Sequence, residues 1–144
     1  MLREAAALLW PAMENPGSAA RVRILVVDDE PAILRFVRLS LIAQGFDVVV
    51  ASSGEECLLL AGSERPDLIV LDMVMPGLDG FGVLQKLRDA DGLNGMSHLP
   101  VIACSAHSSA ATRALSLGAV DFISKPFLPG EMADRIRAAI TRRP

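Results

Sequence analysis

Asp67-Leu68-Ile69-Val70-Leu71-Asp72-Met73-Val74-Met75-Pro76-Gly77-Leu78-Asp79-Gly80 is the stretch whose reading decides the fold. Four apolar residues, Leu68 to Leu71, run without interruption into a carboxylate. Pro76, Gly77 and the pair Asp79-Gly80 follow as turn residues. A short unbroken apolar run bounded by turn signals predicts a strand buried on both faces, as a parallel sheet requires. Asp72 then stands at the carboxyl tip of that strand, where open parallel sheets place their ligands. A desolvated carboxylate is costly unless a cation meets it, so the rest of the chain is read for what meets Asp72.

Upstream, Val22 to Val27 predicts a first buried strand that ends in Asp28-Asp29-Glu30. Pro31 suits a helix's first turn. Ile33, Phe36, Val37 and Leu41 then recur at helical spacing, with Arg35 and Arg38 on the other face, and Gly45 closes the helix. Phe46 to Ala51 predicts a second strand, Ser52-Ser53-Gly54 a turn and Glu55 to Ala61 a short helix. Downstream, Gly80 to Arg88 predicts a helix with Phe81, Val83, Leu84 and Leu87 inward. Asp89 to Leu99 is a long polar connection and Val101 to Ser105 a fourth strand. A short helix, Ala110 to Leu117, stops at Gly118. Asp121 to Ser124 predicts a fifth strand running into Lys125-Pro126-Phe127. The last helix, Pro129 to Arg142, spaces Met132, Ile136 and Ile140 four apart, while Arg135, Arg137, Arg142 and Arg143 suit its C-terminal end as a solvated face. Five alternations of strand and helix predict a parallel sheet covered on both faces, with right-handed crossovers.

The 144 residues suffice for one domain with a real core. With 51% hydrophobic and 22% charged residues the chain is globular. A net charge of -3 offers no electrostatic footprint for nucleic acid. Mean hydropathy is high at +0.40, yet no apolar run reaches the ~18 residues of a membrane span. Cys57 and Cys104 lack paired spacing and read as buried, reduced thiols of a cytoplasmic protein. Residues 1–20 stand apart as an N-terminal extension, either a frayed tail or a helix docking through Leu9 and Trp10. Glu4 and a short apolar core make them a poor signal peptide. The remainder, residues 21–144, reads as one domain.

Polar residues follow four of the five strands: Asp28-Asp29, Asp72, Ser105 and Lys125. In a parallel sheet these tips share one edge. Three carboxylates converging there suit a hard divalent cation such as Mg²⁺, which prefers oxygen ligands. Asp72 is then the candidate nucleophile toward phosphorus. Lys125 neutralises phosphoryl oxygens, and the Ser105 hydroxyl donates to one of them. His107, two residues past Ser105, stands where it could flank that group.

On these residues the sequence resembles a response-regulator receiver domain of bacterial two-component signalling, of the stand-alone, chemotaxis-regulator kind. The match runs from about Arg23 to Thr141. It is carried by Asp28-Asp29, by Leu71 to Gly80, by Pro100-Val101-Ile102 with Ser105-Ala106, and by Gly118-Ala119 through Lys125-Pro126-Phe127. The resemblance implies a flavodoxin-like, doubly wound sheet of five parallel strands in order 2-1-3-4-5 with five helices. It implies Asp72 as the phosphoacceptor, and Asp29, Asp72 and the Val74 backbone carbonyl as direct Mg²⁺ ligands, with Asp28 acting through water. Lys125 is similar to the lysine that pairs with the phosphoryl group, and Lys125-Pro126 to a cis peptide. Ser105 is similar to the switch hydroxyl and Phe122 to the aromatic residue that follows it. The implied partners are a sensor histidine kinase or histidine phosphotransfer protein and a downstream effector protein, with a phosphorylation-dependent dimer as an option and no nucleic acid or membrane. The expected protein is not an enzyme with a separate substrate but a phosphoacceptor that catalyses its own phosphorylation and dephosphorylation. No output domain is expected. Three departures stand out. Ala106 to Leu117 is short, Asp89 to Leu99 is long, and Phe122 carries no hydroxyl. An aspartyl-phosphate phosphatase of the haloacid-dehalogenase kind needs an acid two positions past its nucleophile, where this chain has Val74. A phosphorylation-silent scaffold is disfavoured by the intact acidic set and Lys125.

Overall fold

A computed structural model describes residues 21–89 and 96–141. Leu9 and Trp10, most of the Asp89–Leu99 connection, and Arg142 and Arg143 lie outside the described residues. Strands are β1 (Arg23–Val27), β2 (Asp47–Ala51), β3 (Leu68–Asp72), β4 (Val101–Ser105) and β5 (Asp121–Ser124). Helices are α1 (Pro31–Ala43), α2 (Gly54–Glu64), α3 (Gly80–Arg88), α4 (Ala110–Ser116) and α5 (Pro129–Thr141), with a 3₁₀ turn at Met96–His98. The sheet order is β2-β1-β3-β4-β5, and every pairing is parallel.

Alternation along the strands divides the core into two layers. Leu25, Val27, Ile69, Leu71, Val101 and Ala103 pack beneath α2, α3 and α4. Ile24, Val26, Leu68, Val70, Ile102 and Cys104 pack beneath α1 and α5. All five residues of β3 are buried, which is why its sequence is apolar without alternation. Met73 and Met75 close the core just past the strand. The edge strand β2 is only partly covered until Ala51.

Local chemistry starts and stops the helices. The Ser53 side chain accepts from the Glu56 N–H at 3.1 Å, and the Glu56 carboxylate accepts from the Ser52 N–H at 2.7 Å. This reciprocal cap starts α2 at Gly54, and a left-handed Arg65 ends it, three residues beyond the expected end. The Asp79 side chain caps α3 by accepting from the Gly82 N–H at 2.9 Å.

Two expectations are corrected. In α1 the inward stripe is Leu34, Val37 and Leu41, and Phe36 is 46% exposed. Both sets have helical spacing, and only contact with the sheet chooses between them. In α5, Arg135 is half-buried and paired rather than free on a solvated face. It donates to the Asp121 carboxylate at 2.8 Å and to the Phe122 carbonyl at 3.2 Å, tying α5 to β5.

Candidate functional site

The parallel register brings the strand tips level, pairing Val27 with Leu71, Asp72 with Cys104, and Ser105 with Ser124. The buried polar side chains among the described residues are Asp28, Asp72 and Ser105, at 2%, 4% and 1% exposure. A sheet that buries only these three polar groups concentrates its polar chemistry in one place. Asp29 stands exposed at the rim. Oxygens of Asp28, Asp29 and Asp72 lie within 4.8 Å of one another.

Lys125 enters from the end of β5. Its ammonium donates to Asp28 Oδ2 at 2.6 Å and lies 3.5 Å from Asp72 Oδ2. The remaining oxygens are held by backbone. Asp28 Oδ1 accepts from the Glu30 N–H at 2.9 Å, and Asp72 Oδ1 from the Val74 N–H at 3.2 Å. Burial raises the Asp72 pKa above its ordinary 3.8. The neighbouring Asp28 charge adds to the rise, and the Val74 N–H and Lys125 oppose it. For Lys125, burial works against the charged form, but the Asp28 hydrogen bond and the adjacent carboxylates outweigh it and raise the pKa.

Three carboxylates against one ammonium leave two uncompensated negative charges. That imbalance, with hard oxygen donors on a partly open rim, fits a divalent cation of the Mg²⁺ type. Ser105 Oγ accepts from the His107 N–H at 3.0 Å, while the Ser105 carbonyl accepts from the Lys125 N–H at 2.9 Å. Thus the hydroxyl and the ammonium are tied to one strand pair. Lys125-Pro126 is cis. Phe122 is half-buried against the α2–α4 layer. His98 and His107 are exposed, and the Val74 side chain is 54% exposed. Cys104, beside Asp72 in the sheet, is a free buried thiol that burial pushes up to about 12, as it does Cys57.

The structure gathers Asp28, Asp29, Asp72 and Lys125; Ser105 ends the strand beside β3 with its hydroxyl on the His107 N–H, and Phe122 packs in the α2–α4 layer. Two things were missed. Lys125 pairs first with Asp28 rather than Asp72, a contact 97 residues apart with no local signature. Gly80 is needed for space: a Cβ there would lie 2.5 Å from the Asp72 carbonyl oxygen. The Asp79-Gly80 pair marks a turn in the sequence but says nothing of that approach.

A doubly wound parallel sheet with an acidic cluster and a lysine at its carboxyl edge defines the receiver class of α/β domain. The family model for the response regulator receiver domain matches residues 24–137. The chain belongs to that family. It is 44% identical over 122 residues to the "probable transcriptional regulator ycf27" of Porphyridium aerugineum, covering 83% of this chain and 48% of that protein. It is 41% identical over 121 residues to the transcriptional regulatory protein KdpE of Mycobacterium tuberculosis, covering 83% and 51%. The receiver domain of the Francisella response regulator 1452 superposes with a TM-score of 0.75 at 33% identity, covering 83% of this chain and 97% of that one. The chain spans about half the length of the curated relatives it matches.

Proposed function

We propose that Asp72 accepts a phosphoryl group from a histidine kinase or histidine phosphotransfer protein and that the acyl phosphate changes which protein the domain binds. The observation that supports this reading is the buried Asp72 carboxylate facing Lys125 within a set of acidic oxygens. In the transfer an Asp72 oxygen forms the new O–P bond while the P–N bond of the donor's phosphohistidine breaks. The electron pair returns to the imidazole. In dephosphorylation, water attacks phosphorus, the O–P bond to Asp72 breaks with its electron pair restoring the carboxylate, and inorganic phosphate leaves. The protein thus acts on its own side chain and has no separate substrate.

Lys125 neutralises a phosphoryl oxygen, at the expense of its Asp28 contact. Ser105 gives up the His107 N–H and donates its hydroxyl to another oxygen, and Phe122 repacks after it. Asp29, Asp72 and the Val74 carbonyl are the direct ligands proposed for Mg²⁺, with Asp28 bonding to its water. The metal supplies charge neutralisation of the transferring group.

An apolar cavity of about 310 Å³ lies beside the site, lined by Ile33, Phe36, Ala106, Lys125, Pro126 and Phe127. It offers the donor protein a landing surface next to Asp72, and the outward Phe36 serves it. The output is read as a protein–protein contact in the cytoplasm. Buried free thiols support that compartment, and none of the described helices is long and apolar enough to cross a membrane. Two of the relatives are named transcriptional regulators, so a DNA-linked output of a longer protein is the competing reading.

The test is intact mass after incubation with acetyl phosphate. One added phosphoryl group, lost without Mg²⁺ and lost in Asp72→Asn, is expected. No adduct from acetyl phosphate or from kinases would leave the domain a binding scaffold.

A further inference from the structure

The helix α4 is held differently at its two ends. At its start, the Ser105 hydroxyl accepts from the His107 N–H at 3.0 Å. The residues that follow, Ala106 to Ser109, are all exposed, and Ser109 makes no side-chain cap. At its end, the chain turns at Gly118 with φ +105°, and the Arg88 guanidinium from the last turn of α3 closes on that turn. Nη2 donates to the Gly118 carbonyl at 2.9 Å, and Nη1 donates to the Ser97 and Leu99 carbonyls at 3.1 and 3.0 Å. A planar fork of five donors suits three carbonyls converging from two connections. Among the described residues no carboxylate pairs with Arg88, so this side chain serves backbone geometry rather than charge pairing. The fit is close: a Cβ at position 118 would lie 2.7 Å from Arg88 Nε. Midway along α4, the Arg113 guanidinium sits 4.1 Å from the centre of the Phe81 ring on α3.

We infer that Arg88 is a positioning residue that fixes the C-terminal end of α4, so that switching swings the helix about that end, with the Ser105–His107 hydrogen bond as the latch at the other. The inference rests on the reading of Ser105 as the switch hydroxyl. When Ser105 Oγ turns toward a phosphoryl oxygen, His107 N–H loses its acceptor and the exposed Ala106–Ser109 segment is released. Three carbonyls bound to one guanidinium are not released by that change. Motion is therefore graded along α4. It is largest at Ala110, passes through Arg113 sliding over Phe81, and vanishes at Gly118. The short helix makes the lever arm small, so the exposed Leu115 side chain near the fixed end stays in place while the Ala106–Ala111 surface is remodelled.

Hydrogen exchange read by mass spectrometry on the full chain tests this, with three proteins: wild type, Ser105→Ala and Arg88→Lys. In wild type treated with acetyl phosphate and Mg²⁺, amides from Ala106 to Ala111 should exchange about fivefold faster or more, while those from Ala114 to Ala119 keep their rate. Ser105→Ala removes the latch without phosphorylation and should show the same split unmodified. Arg88→Lys keeps the charge but not the fork. It should still gain one phosphoryl mass on Asp72 while exchange at Ala114–Ala119 quickens about fivefold or more in both states. If the two halves of α4 respond equally in wild type and in Ser105→Ala, or if Arg88→Lys leaves Ala114–Ala119 protected, the inference is wrong. Absence of any adduct overturns the phosphorylation reading instead, and the unmodified Ser105→Ala and Arg88→Lys profiles still decide the anchor. Should Arg88→Lys fail to fold, the split in Ser105→Ala decides alone.

Discussion

At Asp72, an ionisable group is buried beside a second carboxylate and an ammonium. Its folded-state pKa lies above the ordinary 3.8, chiefly through burial. The folded protein therefore holds that proton more tightly than the unfolded chain. The resulting stability is fully present below the ordinary carboxylate value and is lost as pH rises through the raised folded value. At pH 7 without Mg²⁺ the ionised side chain opposes folding. Asp72→Asn should then melt higher than wild type at pH 7 in a chelator, on the order of 3 °C, with the gap closing toward pH 4. Equal melting across that range would contradict the account. Lys125 works in the opposite direction, because it is the cation facing two buried carboxylates at 2.6 and 3.5 Å. Removing one partner of a buried pair typically costs roughly 3–5 kcal/mol. Lys125→Met should show a loss of that order in Mg²⁺-free urea melts, and part of it should return when Mg²⁺ is added.

Among the elements, the turn from β3 into α3 places the site most tightly. The Gly80 N–H donates to the Met73 carbonyl at 3.1 Å, and the first turn of α3 lies directly over the Asp72 backbone. Gly80→Ala forces a Cβ to within 2.5 Å of the Asp72 carbonyl oxygen and 2.6 Å of Met73 Cα, both backbone atoms with little freedom to yield. Overpacking of this kind costs roughly 1–3 kcal/mol, and slower transfer to Asp72 should accompany the loss. Gly62 provides the contrast. It lies within α2, where a Cβ would only touch the end of the Met96 side chain at 3.5 Å. Gly62→Ala should gain roughly 0.5–1 kcal/mol through helix propensity. Urea denaturation of the two variants checks the pair, and a loss in both would mean that space does not explain Gly80. The element boundaries follow similar local causes. The Ser53–Glu56 cap and the Asp79 cap are readable as short polar patterns, whereas at the extended end of α2 the Glu64 carbonyl accepts from Arg23 Nη1, 41 residues away, at 2.8 Å.

Across the whole molecule, folding and the site are linked through charge. The fold assembles Asp28, Asp29 and Asp72 from β1 and β3, so cation binding draws directly on folding free energy. A ligand bound only by the folded state adds about 1.4 kcal/mol at ten times its Kd. Mg²⁺ titration should raise the melting temperature of wild type progressively. Asp29→Asn, at the exposed rim, should lose most of that rise while keeping its metal-free stability. A rise of equal size in Asp29→Asn would remove Asp29 from the ligand set. The same architecture sets different features on its two layers. The α1–α5 side carries the apolar cavity beside Lys125, and the α2–α4 side carries Phe122, Arg113 and Arg88.

The sequence by itself determined the fold class and the polar residues that share the sheet's carboxyl edge. Four of the five strands run into the polar residues that matter, and in a parallel sheet that pattern has one outcome: the tips meet. Asp28, Asp29, Asp72, Ser105 and Lys125 could be named because each is the first polar residue after a buried strand, or the next one along. Tertiary structure alone decided what depends on azimuth and distance. Helical spacing in α1 allowed Phe36 or Leu34 to face inward, and contact with the sheet chose Leu34. Lys125 had two carboxylates within reach, and the packed strand ends set it 2.6 Å from Asp28 and 3.5 Å from Asp72. Gly80, Arg88 and Arg135 owe their roles to atoms distant in sequence: the Asp72 carbonyl, the Gly118 carbonyl and the Asp121 carboxylate. A linear pattern records which residues avoid water, and it leaves unrecorded which partner a polar group finds once the layers have packed.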